Sequence, residues 1–137
     1  MIDENIVNSS FYQRFLRENP AIGFLKIRAY AASGAIPISN LKVVISKNIE
    51  NNNVTFYEGY TNESGVIERI NLPAPVINKN NLNAPNYVTY DLTTTYQQGN
   101  IVSKYKVNIY DNLYVIQNIN VAPASSIELQ MGGFNGN

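Results

Sequence analysis

The residues of this chain that could do chemistry are its carboxylates, its tyrosines and a few lysines, because it contains no His and no Cys. Without His it lacks the usual general base, proton shuttle and metal ligand near neutral pH; without Cys it has no thiolate nucleophile and no sulfur metal site. Glu63 and Glu68 flank a turn, and Asp91 and Asp111 each sit near Tyr. Two such carboxyls held about 5 to 9 Å apart across a cleft could hydrolyse a glycosidic bond. Their spacing enforces no such pairing, and single carboxylates on alternating strands ordinarily face solvent. Asn62-Glu63-Ser64 offers oxygens that could meet Ca²⁺, yet no carboxylate cluster stands beside it, so it reads as a plain turn. The expectation is a protein that is not an enzyme and needs no metal or cofactor.

Ten tyrosines are the other chemical resource. Tyr87, Tyr90, Tyr96, Tyr105, Tyr110 and Tyr114 could build an aromatic platform for sugar rings, since Tyr combines a π-face with a hydroxyl. Tyr90 and Tyr110 are the candidate glycan contacts. The competing reading is cross-strand pairing, in which strand aromatics are favoured anyway.

These groups must be positioned by a single domain, the size that 137 residues imply. Ten Lys and Arg balance ten Asp and Glu, so no basic surface is offered to nucleic acid or to an anionic membrane. Charged residues make up only 15% of the chain, against about 25% in ordinary soluble domains. Twenty-two Asn supply the missing polarity.

The first 22 residues differ from the rest. Ser9 or Ser10 can cap a short helix running to Asn19-Pro20, with Phe11, Phe15 and Leu16 on one face. Ahead of it, Ile2, Ile6 and Val7 make an apolar arm with no core of its own. From Gly23 the period becomes two: Leu25, Ile27, Ala29 and Ala31 alternate with Lys26 and Arg28, as a half-buried strand requires. Further strands are expected at Leu41–Ser46, Val54–Tyr60, Val66–Leu72, Tyr87–Tyr96, Ile101–Tyr110, Leu113–Val121 and Ser126–Met131. Turns are expected at Asn51–Asn53, Asn62–Gly65 and Gln97–Asn100, and a loop over Val76–Asn86. The parity slip within Val66–Leu72 suggests a bulge. Short strands, regular turn signals and no long helix point to an all-β, antiparallel sandwich of seven to eight strands over residues 23–131, followed by a Gly/Asn-rich tail at 132–137.

Gly23-Phe24-Leu25-Lys26-Ile27, Gly34-Ala35-Ile36-Pro37-Ile38 leading into Leu41–Ile45, Thr61-Asn62-Glu63-Ser64-Gly65 and Leu72-Pro73-Ala74-Pro75 together resemble the transthyretin-like, or carboxypeptidase-regulatory-like, β-sandwich. The small stand-alone versions of spore-forming clostridia are the most similar. The resemblance covers residues 18 to 131 and consists of turn and core positions, not a catalytic signature. It departs from the family where Asn62 replaces the usual Asp, and where Asn112-Leu113-Tyr114 stands in place of a Gly-Tyr pair. It implies an accessory or structural module associated with a spore surface. Some surface sandwiches of related type carry a Lys-to-Asn isopeptide bond. Here the alternation puts Lys26 outside, against that chemistry.

No basic, then apolar, leader opens the sequence, and no segment approaches the roughly 18 apolar residues of a membrane span. The expected location is therefore a spore or cell surface reached without a signal peptide, or the cytoplasm if the surface reading is wrong. The ends carry the sharper hint, because free termini fray unless tied down and Gly-rich tails are entropically expensive to order. An apolar arm and open sheet edges suit strand addition between copies of the chain, giving a fibre or appendage. The residues expected to make that assembly are Ile2, Ile6, Val7, Phe11, Phe15 and Leu16 at the front and Met131 and Phe134 at the back. The alternatives are an arm folded back on its own domain, and a monomer binding cell-wall carbohydrate through its Tyr-rich face.

Overall fold

The computed structural model describes residues 2–77, 80, 86–96 and 101–121. Among the described residues, two short helices, α1 (Glu4–Val7) and α2 (Ser10–Glu18), precede eight strands. These are β1 (Ala21–Ala31), β2 (Ile36–Pro37), β3 (Lys42–Ile49), β4 (Asn52–Tyr60), β5 (Val66–Ala74), β6 (Tyr87–Tyr96), β7 (Ile101–Tyr110) and β8 (Tyr114–Asn120). The all-β sandwich with a short N-terminal helix is the fold the alternation requires. Seven of the expected strands fall on these elements. The eighth, Ser126–Met131, lies outside the described residues, as do the Gln97–Asn100 turn and the 132–137 tail. β2 has no counterpart in the sequence pattern; Ile36 and Pro37 pair with Ala31 and Tyr30 where the pattern suggests a plain break.

One sheet is centred on β1, which pairs with β5 and β2 on one side and β8 on the other; the second runs β4-β3-β6-β7. Among the described residues every pairing is antiparallel except β1 with β8, which run parallel from Phe24/Tyr114 to Tyr30/Asn120. A parallel neighbour needs a crossover, and here the whole second sheet lies between the two strands in sequence.

Alternation assigns the faces. Leu25, Ile27, Ala29 and Ala31 of β1 are buried, while Arg28 is exposed and Lys26 half-buried. Val43 and Ile45, Val88, Tyr90 and Leu92, and Val107 and Ile109 close the core from the other sheet. The expected bulge is present: Leu25 faces Ile70 and Ile27 faces Ile67, so Glu68 and Arg69 together oppose Lys26. The β3–β4 turn sits one residue earlier than the Asn triplet suggests. Ile49 pairs with Asn52, and Glu50 and Asn51 both take positive φ, 49° and 68°, the geometry of a two-residue hairpin loop.

Asn62 closes the β4–β5 connection. Its side-chain oxygen accepts from the Ser64 and Val66 amides at 2.9 and 3.0 Å. Gly65 follows at φ 76°, where a Cβ would strike the Ala29 carbonyl oxygen. The Asn62 oxygen is thus occupied by backbone donors, as a plain turn demands.

Candidate functional site

The N-terminal arm folds onto its own domain. Ser9 caps α2 by accepting from the Tyr12 amide at 3.3 Å, and Asn19 ends it. Tyr12 and Phe15 then enter the core at 7% and 6% exposure. Their rings lie 6.0 and 5.6 Å from Phe56, which meets Tyr90 edge-on at 5.2 Å. Arg14 pairs with Glu50 of the β3–β4 turn. Ile2, Ile6, Phe11 and Leu16 are half-buried against the same core, and Val7 is exposed. Phe15 is therefore a core residue of its own domain in this structure. Met131 and Phe134 lie outside the described residues.

Tyr90 is not a sugar contact. It is 0% exposed, and its hydroxyl donates across the sandwich to the Pro73 carbonyl oxygen at 2.5 Å. Burial, followed by the neighbouring Tyr12, pushes its ionisation far above the usual phenol range. Its parity was legible, since Val88 and Leu92 share its face while Thr89, Asp91 and Thr93 take the other. Tyr110 is half-buried and paired with exposed Tyr87, ring centres 5.5 Å apart.

The carboxylates are dispersed. Glu68 pairs with Lys26 at 3.4 Å on the outer face of the first sheet. Asp91 pairs with Lys106 on the outer face of the second, so a full sandwich separates them. Asp111 accepts from the Ile77 amide at 3.4 Å, and Glu63 is exposed in its turn. Lys26, directed outward, is not placed for an isopeptide bond. Among the described residues no three acidic side chains gather as a metal site would need.

Two outward faces remain. On the first sheet, Ile22, Tyr114 and Ile116 are 44%, 55% and 52% exposed. Phe24 lies among them, 5.4 Å from the Tyr114 ring and under the Arg69 guanidinium at 4.2 Å. The sequence carries this face as the even positions Ile22, Phe24, Tyr114 and Ile116, but only the parallel β1–β8 pairing makes the two sets adjacent. On the second sheet a groove of about 480 Å³ runs over Ser46, Asp91, Thr93, Lys104 and Lys106. Two register steps along the same hairpin face, past Thr89 and Asn108, stand Tyr87 and Tyr110.

No helix among the described residues is long and apolar enough to cross a membrane. No family model and no curated protein matches the chain. Among solved structures it is similar to transthyretin from Sparus aurata, with 12% identity over 71% of this chain and 90% of that one, TM-score 0.43. It is also similar to a leucine-rich repeat protein from Bacteroides thetaiotaomicron, with 13% identity over 74% of this chain and 12% of that one, TM-score 0.38. The assignment as an all-β sandwich rests on the strand pairing itself.

Proposed function

We propose that the chain is a non-enzymatic structural subunit that assembles with copies of itself, on a spore or cell surface. The observation that carries this reading is the apolar outer face of the first sheet. Ile22, Phe24, Tyr114 and Ile116 sit together on a molecule whose formal charge is zero, and contiguous exposed apolar surface marks sites of association. The β4 and β7 edges extend the surface available to a neighbour. The arm contributes mainly by completing each subunit, although α1, which buries no residue, can reach beyond it through Val7. The spore setting is supported by the sequence resemblance alone.

Sedimentation and negative-stain electron microscopy of the full-length chain test the reading. Oligomers or filaments are expected, and Tyr114→Ser with Ile116→Lys should shift the population toward monomer while leaving the circular dichroism spectrum unchanged. A monomer of about 15 kDa that persists on concentration would overturn it. A second reading is favoured by the polar groove leading to the Tyr87–Tyr110 pair, a layout suited to a cell-wall glycan whose sugar faces stack on rings and whose hydroxyls meet Ser46, Asp91 and Thr93. On that reading Tyr87→Ala or Tyr110→Ala weakens retention on insoluble cell-wall polysaccharide, and equal retention of the parent and both variants excludes it.

A further inference from the structure

The registers of the second sheet lay its outward side chains in rows. Glu58, Val44, Thr93 and Lys104 form one row across the sheet, and Ser46, Asp91 and Lys106 form the next. Farther along the β6–β7 hairpin come Thr89 with Asn108, then Tyr87 with Tyr110. Alternate residues of a strand share a face, so these rows make one continuous track from Lys104 to Tyr110. At about 3.4 Å per residue the track is about 20 Å long.

The ion pairs on this face leave one charge over. Asp91 pairs with Lys106, and Glu58 pairs with Lys42 at 3.2 Å. Lys104, exposed beside the groove, has no ion pair among the described residues. One end of the track therefore holds an uncompensated cation, with Ser46 and Thr93 lining the same groove. In the middle, the Thr89 hydroxyl donates to the Asn108 side-chain oxygen at 2.7 Å, which leaves the Asn108 amide donors for other acceptors. At the far end the Tyr87 and Tyr110 rings, centres 5.5 Å apart and inclined by 50°, offer an uncharged stacking surface.

We propose that this track binds a glycan with isolated acidic sugars, a carboxylate meeting Lys104 and a sugar ring resting on the Tyr87–Tyr110 pair, which rests on the glycan reading of the groove and adds the ligand's charge and length. A Lys ammonium is a compact point charge, and a single unpaired one matches a single negative group. A chain charged at every unit is disfavoured. Beyond Lys104 the track offers only Asp91, already paired with Lys106, and the neutral Thr89, Asn108, Tyr87 and Tyr110. That separates it from a nucleic-acid site, where every nucleotide brings a phosphate that needs a cation. Hydroxyls and amides between the two ends are the partners that neutral sugars, themselves rich in hydroxyls, can satisfy. An oligosaccharide much shorter than about 20 Å reaches only one end of the track. Affinity should therefore rise once a chain spans both ends, because the second contact becomes intramolecular.

Titration calorimetry of the full-length chain tests this with two series of probes. One is hyaluronan oligosaccharides, in which acidic and neutral sugars alternate; the other is neutral chitin oligosaccharides of the same lengths. Hyaluronan should bind more tightly by about fivefold, the upper end for one exposed ion pair. That advantage should vanish in Lys104→Ala and shrink at high salt. Tyr87→Ala should weaken both series and keep the preference for hyaluronan. Lengthening hyaluronan from a disaccharide to a hexasaccharide should raise the parent's affinity by more than about tenfold, and by less in Tyr87→Ala. Unchanged circular dichroism spectra confirm that both variants remain folded. Equal affinity for the two series, or an acidic preference that survives Lys104→Ala, would overturn the proposal and leave the glycan reading standing. Binding of neither series overturns the proposal, and loss of retention on insoluble cell-wall polysaccharide would take the glycan reading with it. Tighter binding of single-stranded oligouridylate than of hyaluronan would assign the track to nucleic acid instead.

Discussion

Tyr90 bridges the two sheets, and its environment makes a pH prediction. Burial holds the phenol neutral in the folded chain, whereas an exposed Tyr ionises near pH 10. The folded-state value is raised, so the stability associated with it is fully present below pH about 10 and is lost as pH rises above that. Melting temperature should fall steeply in that alkaline window, and Tyr90→Phe should flatten the fall. At neutral pH the same substitution leaves the Pro73 carbonyl without its donor and costs about 1–3 kcal/mol, measurable by urea denaturation. Gly23 is a second residue whose identity the packing fixes. A Cβ there would run into the Tyr110 carbonyl oxygen and the Ile109 side chain, so Gly23→Ala should destabilise by about 1–3 kcal/mol through overpacking.

Among the elements, α2 is the one whose role the structure decides. Read as sequence, its apolar face suits a neighbouring subunit, and removal of residues 1 to 20 is then expected to leave a folded sandwich. Tyr12 and Phe15 instead build one aromatic cluster with Phe56 and Tyr90. Phe15→Ala should therefore cost about 3–5 kcal/mol, and deletion of residues 1–20 should lower the denaturation midpoint of the whole domain. If the truncated chain unfolds at the parent's midpoint, the arm is not part of the core in solution. The helix itself was legible from Ser9, the Phe11, Phe15 and Leu16 spacing and Asn19-Pro20. Its destination was not, because a stripe of apolar residues states only that it must be covered, and Tyr12 and Phe56 carried no local signal of their meeting.

At the scale of the molecule, the two outer faces divide the alternatives. The first sheet presents Ile22, Phe24, Tyr114 and Ile116; the second presents ion pairs, a polar groove and the Tyr87–Tyr110 pair. If assembly uses the first face, Ile116→Lys alone should raise the concentration at which oligomers appear, by about tenfold for each 1.4 kcal/mol by which association is weakened, while Lys106→Ala should leave it unchanged. Sedimentation velocity across a concentration series reads both. The reverse ranking would move the association surface to the second sheet.

Local pattern was enough for the all-β class, seven of the strands, the bulge near Arg69, the Asn62–Gly65 turn and the outward direction of Lys26. Each follows from alternation or from backbone preferences within a few residues, and both are properties of adjacent side chains. What the tertiary structure alone decided involves partners far apart in the chain: the parallel β1–β8 pairing, the entry of Tyr12 and Phe15 into the core, and the burial of Tyr90. A strand's alternation says which residues share a face. Which face is covered, and by what, is set by the strand order of the two sheets, and that order depends on pairings between residues such as Phe24 and Tyr114 that lie ninety positions apart.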